Sequence, residues 1–369
     1  MTGVRGIVAA AEIEPGDVAR IVARAAELGV EMVHEIAETS GELIEILQRN
    51  PGVAVLLSDF LPDVPGAESM YAFDRADGDG GSDTPAEDAV LATIASLRWV
   101  QLPSVGVNQE AGSVTWRRAP GVAVTTASGL ASVAMAQYVT ASILFHAHRL
   151  WRLPAYHAVR DWSLRRAFQP AILIGGTVGI LGYGGVARRA AHILSALGMR
   201  VLAVRRSPGR SATEHYRRPE IEALDAGPEP ADIRGMDQLD WLLAESHYLV
   251  STVPLTPSSR GLIGARELAL LPPGAVVVNV SRGPIIDEDA LVAALQSGHL
   301  GGASLDVFRV EPLPANSPLW EMPNVMVTPH VSGTHDHVSE YTTDLFLENL
   351  ARYIDGRPLL NLADRSRGY

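Results

Sequence analysis

One stretch, residues 178–206, limits the fold more than any other. Val178-Gly179-Ile180-Leu181 is an apolar run of strand type that ends in Gly182-Tyr183-Gly184-Gly185-Val186-Ala187. Residues 188–197 then have helical spacing, and residues 201–204 are apolar again. A strand, a glycine turn, a helix and a second strand in that order make a phosphate-binding βαβ unit, which needs a parallel sheet around it. Gly182 permits the tight turn, Gly184 lets backbone approach a pyrophosphate, and the small Ala187 lets helix meet strand. The helix start at Gly185 and Val186 offers free N–H groups and the positive end of the helix dipole to an anion. The unit therefore predicts dinucleotide binding, and with it a nicotinamide-dependent oxidoreductase.

About 20 residues past such a turn, an acid usually accepts hydrogen bonds from the adenosine ribose. This chain has Arg205-Arg206-Ser207 there. Two guanidiniums and a hydroxyl do not repel a 2'-phosphate and can grip one through charge-assisted bonds. NADP(H) is the favoured cofactor, with NAD(H) as the alternative.

Composition narrows the field further. At 369 residues the chain exceeds the usual size of one core, so two domains are expected. Its formal net charge of -12 disfavours a broad nucleic-acid surface. The sequence contains no lysine and no cysteine, which excludes Schiff-base chemistry, thiolate nucleophiles, disulfides and cysteine-ligated metal. The apolar start is interrupted by Glu12 and Glu14 without a credible cleavage signal, and no run approaches the roughly 18 apolar residues of a membrane span. A cytoplasmic protein with no membrane partner is expected.

Helical spacing at 17–28 and 42–48 alternates with strand-like runs at 53–57 and 97–102, the pattern of a parallel α/β sheet. Residues 63–88 and 208–235 are polar, rich in Gly and Pro, and read as loops or insertions. Residues 131–150 read as one long apolar crossover helix whose polar face carries Gln137, Thr140, His146 and His148. Strand and helix signals continue to a strand at 325–328, and a helix comes after it at 338–353.

Three later segments each deliver a polar residue from the end of an apolar strand, where open α/β sheets bind ligands. They are Val278-Asn279-Val280-Ser281-Arg282-Gly283, Leu305-Asp306-Val307-Phe308-Arg309-Val310-Glu311-Pro312 and Val327-Thr328-Pro329-His330. An arginine can bind a keto-acid carboxylate and polarise its carbonyl. A histidine can exchange the hydroxyl proton, and a carboxylate beside it can hold it protonated.

With these segments in view, the chain resembles the D-isomer-specific 2-hydroxyacid dehydrogenase family. GILGYGGVA, VPLTPSSRGLI, VNVSRGPIIDEDALVAAL, GASLDVFRVEPLPANSPLW and NVMVTPH carry the resemblance, from about residue 97 onward. It implies Arg282, Glu311 and His330 as the catalytic set. It implies Asp306 near the nicotinamide amide, and Val253, Pro254 and Val280 lining the cofactor beside Gly182, Gly184, Gly185 and Val186; Arg205, followed by Arg206 and Ser207, departs from the family's acid at the ribose and is what favours NADP(H). The turn Ser104-Val105-Gly106-Val107-Asn108 matches the loop whose amides receive the substrate carboxylate, which assigns Val105 and Gly106 to substrate with Arg282. His335 and His337 are not expected to form a metal site.

The implied fold is α/β: two doubly wound parallel-sheet domains, with a Rossmann cofactor domain (131–330) inserted into a flavodoxin-like substrate domain (1–130 and 331–369). The implied activity is NADPH-dependent reduction of a small 2-keto acid such as glyoxylate or hydroxypyruvate by a homodimer. Phosphoglycerate or phosphite dehydrogenases of the same family are the enzyme alternatives, and a non-catalytic, corepressor-like NAD(P) sensor is the alternative outside catalysis. Formate dehydrogenase is disfavoured because Glu311 keeps the acid of the hydroxyacid enzymes.

Overall fold

The computed structural model describes residues 3–65, 84–107, 110, 112–207, 216, 229 and 231–366. These fall into two compact units, one within Met1–Ala131, Glu214–Arg217 and His335–Tyr369, the other within Ser132–Thr213 and Arg218–Thr334.

In the first unit the elements run β1 (Val4–Val8), α1 (Pro15–Glu27), β2 (Val30–His34), α2 (Ser40–Arg49), β3 (Val53–Leu57), α3 (Pro85–Thr93), β4 (Trp99–Gln101), α4 (Val114–Arg118) and β5 (Ala123–Thr125). A long helix, Val338–Ile354, completes it. All strands are parallel, in the order β2-β1-β3-β4-β5, the flavodoxin order. Caps fix the helix starts: the Thr39 and Thr84 hydroxyls accept the N–H groups of Glu42 and Glu87, and a proline opens α1 and α3.

Because side chains alternate along a strand, Ile7, Leu56 and Val100 meet Leu43 and Leu47 of α2 on one face. Val8, Val55, Leu57 and Trp99 meet Ile21 of α1 and Phe346 and Leu350 of the long helix on the other. Burial on both faces is why the strand sequences are continuous apolar runs. The Trp99 ring stacks on Phe346 at 5.2 Å between centroids and donates its indole N–H to Thr125 Oγ1 at 2.9 Å.

The second unit contains α5 (Ser132–Ala147), α6 (Leu153–Val159), β6 (Thr177–Leu181), α7 (Gly185–Ala196), β7 (Arg200–Arg205), β8 (Ala231–Gly235), α8 (Leu239–Glu245), β9 (Tyr248–Ser251), α9 (Ala265–Leu270), β10 (Ala275–Asn279), α10 (Glu288–Gln296), β11 (Leu300–Leu305) and β12 (Val325–Val327). Its parallel sheet has the order β12-β11-β10-β9-β6-β7-β8. Winding runs one way from β6 to β8 and the other way from β9 to β12, so β6 and β9 flank the reversal. In such sheets, ligands bind outside the strand ends at that point. Both units are thus doubly wound parallel sheets, the fold class the sequence predicts.

Three local expectations need correction. The stretch 63–88 is not all loop, since α3 begins at Pro85 within it; residues 66–83 lie outside the described ones. The stretch 208–235 ends in strand β8, which its polar sequence Ala-Asp-Ile-Arg-Gly disguises because it forms the sheet edge; most of the rest lies outside the described residues. The crossover helix stops at Ala147, two residues before Arg149 turns left-handed at φ 53°, and a short 3₁₀ turn leads into α6.

The polar face of α5 is also smaller than the sequence predicts, because Thr140 and His146 are buried. Thr140 returns its hydroxyl to the Ala136 carbonyl, and His146 Nε2 lies 3.1 Å from Ser304 Oγ. Burial pushes His146 down to about 4, so it is a neutral packing group. Among the described residues no helix is long and apolar enough to cross a membrane.

Candidate active site

The catalytic candidates all stand in the second unit, on the loops after β10, β11 and β12. Strand β10 ends at Asn279, a polar residue 2% exposed whose side chain organises the loop beyond it. Its Oδ1 accepts the Ser281 N–H at 3.1 Å and the Ser281 hydroxyl at 2.7 Å, and its Nδ2 donates to the Arg282 carbonyl at 3.1 Å. Ser281 Oγ also lies 2.8 Å from Ser251 Oγ at the end of β9. Arg282 therefore leaves the sheet from a fixed turn, and its Nη1 donates to the Ser281 carbonyl at 2.7 Å. A Cβ on the next residue, Gly283, would stand 1.9 Å from the Phe308 carbonyl carbon and oxygen. Only glycine lets the β10 loop rest against the β11 loop here.

After β11, Asp306 is fully buried and its carboxylate holds the loop beyond β12. Oδ1 accepts the Thr328 hydroxyl at 2.6 Å and the Val331 N–H at 2.8 Å, and Oδ2 accepts the Ser332 N–H at 2.9 Å. The Asp306 carbonyl accepts the His330 N–H at 2.9 Å. Tyr138 of α5 joins through a 2.7 Å hydrogen bond to Thr328. This network fixes His330 at φ 56°, a left-handed conformation that costs a non-glycine residue on the order of 1 kcal/mol or more. Such strain persists only where neighbours over-determine it.

Glu311 then orients the imidazole. Its Oε1 accepts the Phe308 N–H at 2.9 Å, and its Oε2 lies 2.7 Å from His330 Nδ1. A carboxylate accepts only, so Nδ1 carries the proton and Nε2 is the nitrogen left for chemistry. Glu311 is mostly buried while His330 is 36% exposed, so the acid is fixed and the ring reaches out. The pair can deliver a proton to, or take one from, an oxygen placed at Nε2.

The glycine turn lies in the same unit. Gly182 has φ 86°, and a Cβ there would meet Val253 Cγ1 at 2.8 Å, so the turn requires glycine for both conformation and packing. Gly184 is different: it caps α7 in extended conformation, and a Cβ on it would meet nothing within 4 Å. Neither backbone nor packing demands glycine at that position, so the space beside it is open. Gly185 and Val186 come next as the first two residues of α7, with Ala187 fully buried beneath.

The structure places Val253 beside this turn just past the end of β9, where Thr252 Oγ1 donates to the Gly182 carbonyl at 3.2 Å, and Pro254 follows with its carbonyl accepting the Ser259 hydroxyl at 2.8 Å. Val280 is 2% exposed and packs in the unit's core. Arg205 closes β7, with Arg206 and Ser207 exposed beyond it. Val105 and Gly106 belong to the first unit, on the turn after β4, where Ser104 Oγ donates to the Gly106 carbonyl at 3.1 Å. Asn108, the last residue of that turn, lies outside the described residues. His337 stacks on Tyr341 and His335 lies tilted against the same ring, and no cluster among the described residues can hold a metal ion.

Sequence reasoning missed the supporting residues Asn279, Ser281, Thr328 and Tyr138. Asn279 and Ser281 were signalled by polarity at the end of a buried strand, and Thr328 by its place two residues before His330. Tyr138, on a largely apolar helix, gave no signal.

Comparison with known proteins agrees with this geometry. Residues 140–332 match the family model described as D-isomer specific 2-hydroxyacid dehydrogenase, NAD binding domain. A glyoxylate reductase from Aeropyrum pernix is 36% identical over 253 residues, which are 66% of this chain and 70% of that protein. Glyoxylate/hydroxypyruvate reductase B from Yersinia enterocolitica is 32% identical over 277 residues, covering 73% and 78% of the two chains. A D-isomer specific 2-hydroxyacid dehydrogenase from Xanthobacter autotrophicus Py2, solved with NADPH and MES, superposes with a TM-score of 0.73 at 28% identity over 100% of both chains. With its family model, its relatives and its fold in agreement, this chain belongs to the D-isomer specific 2-hydroxyacid dehydrogenase family and is an NAD(P)-dependent oxidoreductase.

Proposed function

We propose that the protein reduces a small 2-keto acid, such as glyoxylate or hydroxypyruvate, to the D-2-hydroxy acid with NADPH as preferred reductant. The observation that carries this reading is the 2.7 Å contact between His330 Nδ1 and Glu311, which leaves Nε2 as the proton donor to a ketone oxygen. Arg282 binds and polarises the keto acid. Gly184, with its open Cβ position, fits a dinucleotide pyrophosphate, which Gly185 and Val186 hold with their N–H groups. When bound, the reduced nicotinamide supplies the hydride that C2 accepts. Val253, Pro254 and Val280 line its site. Relatives named as reductases of glyoxylate and hydroxypyruvate support the substrate class.

Arg205, Arg206 and Ser207 support NADPH, because cations and a hydroxyl at the end of β7 suit a 2'-phosphate. The NADPH complex of the Xanthobacter relative supports it too. The protein acts as a homodimer in this reading, and the exposed Val159, Trp162, Ile172 and Ile174, at 61%, 73%, 81% and 72%, supply apolar surface for a second copy. Light scattering giving twice the chain mass checks that.

The decisive experiment monitors NADPH oxidation with a panel of 2-keto acids for the wild type and His330→Ala. Turnover with a small keto acid that the variant loses supports the reading. A wild type that binds NADPH yet is as inactive as the variant across the panel overturns it.

A further inference from the structure

The first turn of α7 contains no acidic residue, and arginines 188 and 189 come immediately after it. That is the wrong end of a helix for cations, because the dipole there is already positive and favours anions. Arg188 lies 3.7 Å from the Glu229 carboxylate, so its charge is partly met. Arg189 takes another course. It is only 6% exposed, and its Nη1 hydrogen-bonds Ser132 Oγ at the start of α5. The side chain folds back along the helix, as long helical side chains do. Nη1 ends 3.9 Å from the point where a Cβ on Gly185 would lie, with Ser132 Cβ 3.7 Å from the same point. The bare backbone of Gly185 thus has a guanidinium next to it, at the helix terminus aimed at the glycine turn.

We propose that Arg189 is a cofactor-binding residue: its guanidinium, drawn back beside Gly185, supplies the positive charge that meets the dinucleotide pyrophosphate. In the turn Gly182-Tyr183-Gly184-Gly185-Val186-Ala187 the one polar side chain, the Tyr183 hydroxyl, donates to Glu229, so the turn's own offer to that anion is its backbone N–H groups. Arg189 adds a formal charge from one helical turn further on. The inference rests on the reading that places the pyrophosphate at Gly184, Gly185 and Val186. Because the pyrophosphate is common to both nucleotides, Arg189 sets affinity for NADH and NADPH alike, whereas Arg205 sets the ratio between them.

The test is titration of the full-length protein with NADH, NADPH and ADP-ribose, the last retaining the pyrophosphate without the nicotinamide. Arg189→Gln is expected to weaken all three together by about tenfold or more, as the loss of a charge-assisted bond dictates. Arg189→Lys is expected to recover part of the loss. Ser132→Ala, which cuts the tie to α5 but keeps the charge, is expected to stay within about threefold of wild type, the cost of one neutral hydrogen bond. Arg189→Gln binding ADP-ribose as tightly as wild type overturns the proposal. So does Ser132→Ala matching the loss in Arg189→Gln, since Arg189 would then only tether α5 to α7. A change in the NADPH-to-NADH ratio without a common loss overturns it as well. Gly184→Val tests the underlying reading separately: if it binds ADP-ribose normally, the pyrophosphate seat is elsewhere and that reading fails whatever Arg189 does.

Discussion

The two units are built alike, each a parallel sheet whose winding reverses beside its first strand, yet the carboxylates on their strand-end loops are treated in opposite ways. In the second unit, Glu311 has a backbone N–H on one oxygen and the His330 ring on the other, and buried Asp306 takes three donors. In the first unit, Glu110 accepts the Leu61 N–H at 2.8 Å, feels the like charge of Asp63, and is pushed up to about 7 by burial. Asp59, which accepts the Ala11 N–H, is likewise pushed up to about 6 by burial. Well-partnered carboxylates hold a geometry, and poorly partnered ones are proton-binding sites. Glu110 and Asp59 are thus raised by burial, whereas Asp306 and Glu311 spend their oxygens on hydrogen bonds that tie one loop to the next.

The sharpest way to break this contrast is to remove the group that the hydrogen-bonded loops present. His330→Ala is expected to lower kcat by a factor on the order of 10² to 10⁴, the range for losing a general acid. Binding of NADPH measured by fluorescence is expected to remain, since the variant leaves the glycine turn intact. Next in size is Asp306→Ala, which strands the Thr328 hydroxyl and the Val331 and Ser332 N–H groups. We expect a loss of about 3 kcal/mol or more in chemical denaturation, together with a fall in kcat as His330 leaves its strained conformation. If instead nicotinamide affinity falls while stability holds, Asp306 serves the cofactor and not the loop.

The uneven treatment of the loops also explains what the sequence made legible. The strands at 53–57 and 178–181 and the helices between strands could be read, because burial on two faces leaves continuous apolar runs that alternate with amphipathic helices. Arg282, Glu311 and His330 were implied by the family resemblance of three segments that follow apolar strands, and the structure brings Glu311 and His330 together. Strand β8 was hidden because an edge strand tolerates polar residues, and the burial of His146 was hidden because spacing along α5 does not say what packs on it. The role of Asp306 in holding the loop after β12 was hidden for a deeper reason. Its donors come from residues 328 to 332, and that meeting depends on β11 and β12 being neighbours in the sheet.

The nucleotide end of the second unit gives an effect of intermediate size. Arg205→Asp is expected to shift the ratio of NADPH to NADH affinity toward NADH by about tenfold or more, because it replaces a charge-assisted donor with a repelling carboxylate. The measurement is the pair of dissociation constants at one ionic strength, since screening of an exposed site shrinks the effect as salt rises. An unchanged ratio removes Arg205 from the nucleotide site.

The smallest effect tests the first unit. Glu110 keeps its proton up to about 7 in the folded chain but only to about the ordinary 4.5 when unfolded. Between those values the folded state binds more protons, so its stability falls as pH rises through that window and stays reduced above it. Glu110→Gln keeps an oxygen for the Leu61 N–H and cannot ionise. It is expected to match wild type near pH 4.5 and to exceed it at pH 8 by on the order of 2 kcal/mol. Asp59 pushes in the same direction, but its window closes near 6, so the difference between the variant and wild type should still be growing from pH 6 to 7. Thermal unfolding at half-unit steps across that range reads the slope directly. A wild type whose stability rises from pH 5 to 8 alongside the variant would mean that Glu110 is as well partnered as Glu311, and the contrast between the two units' loops would be lost.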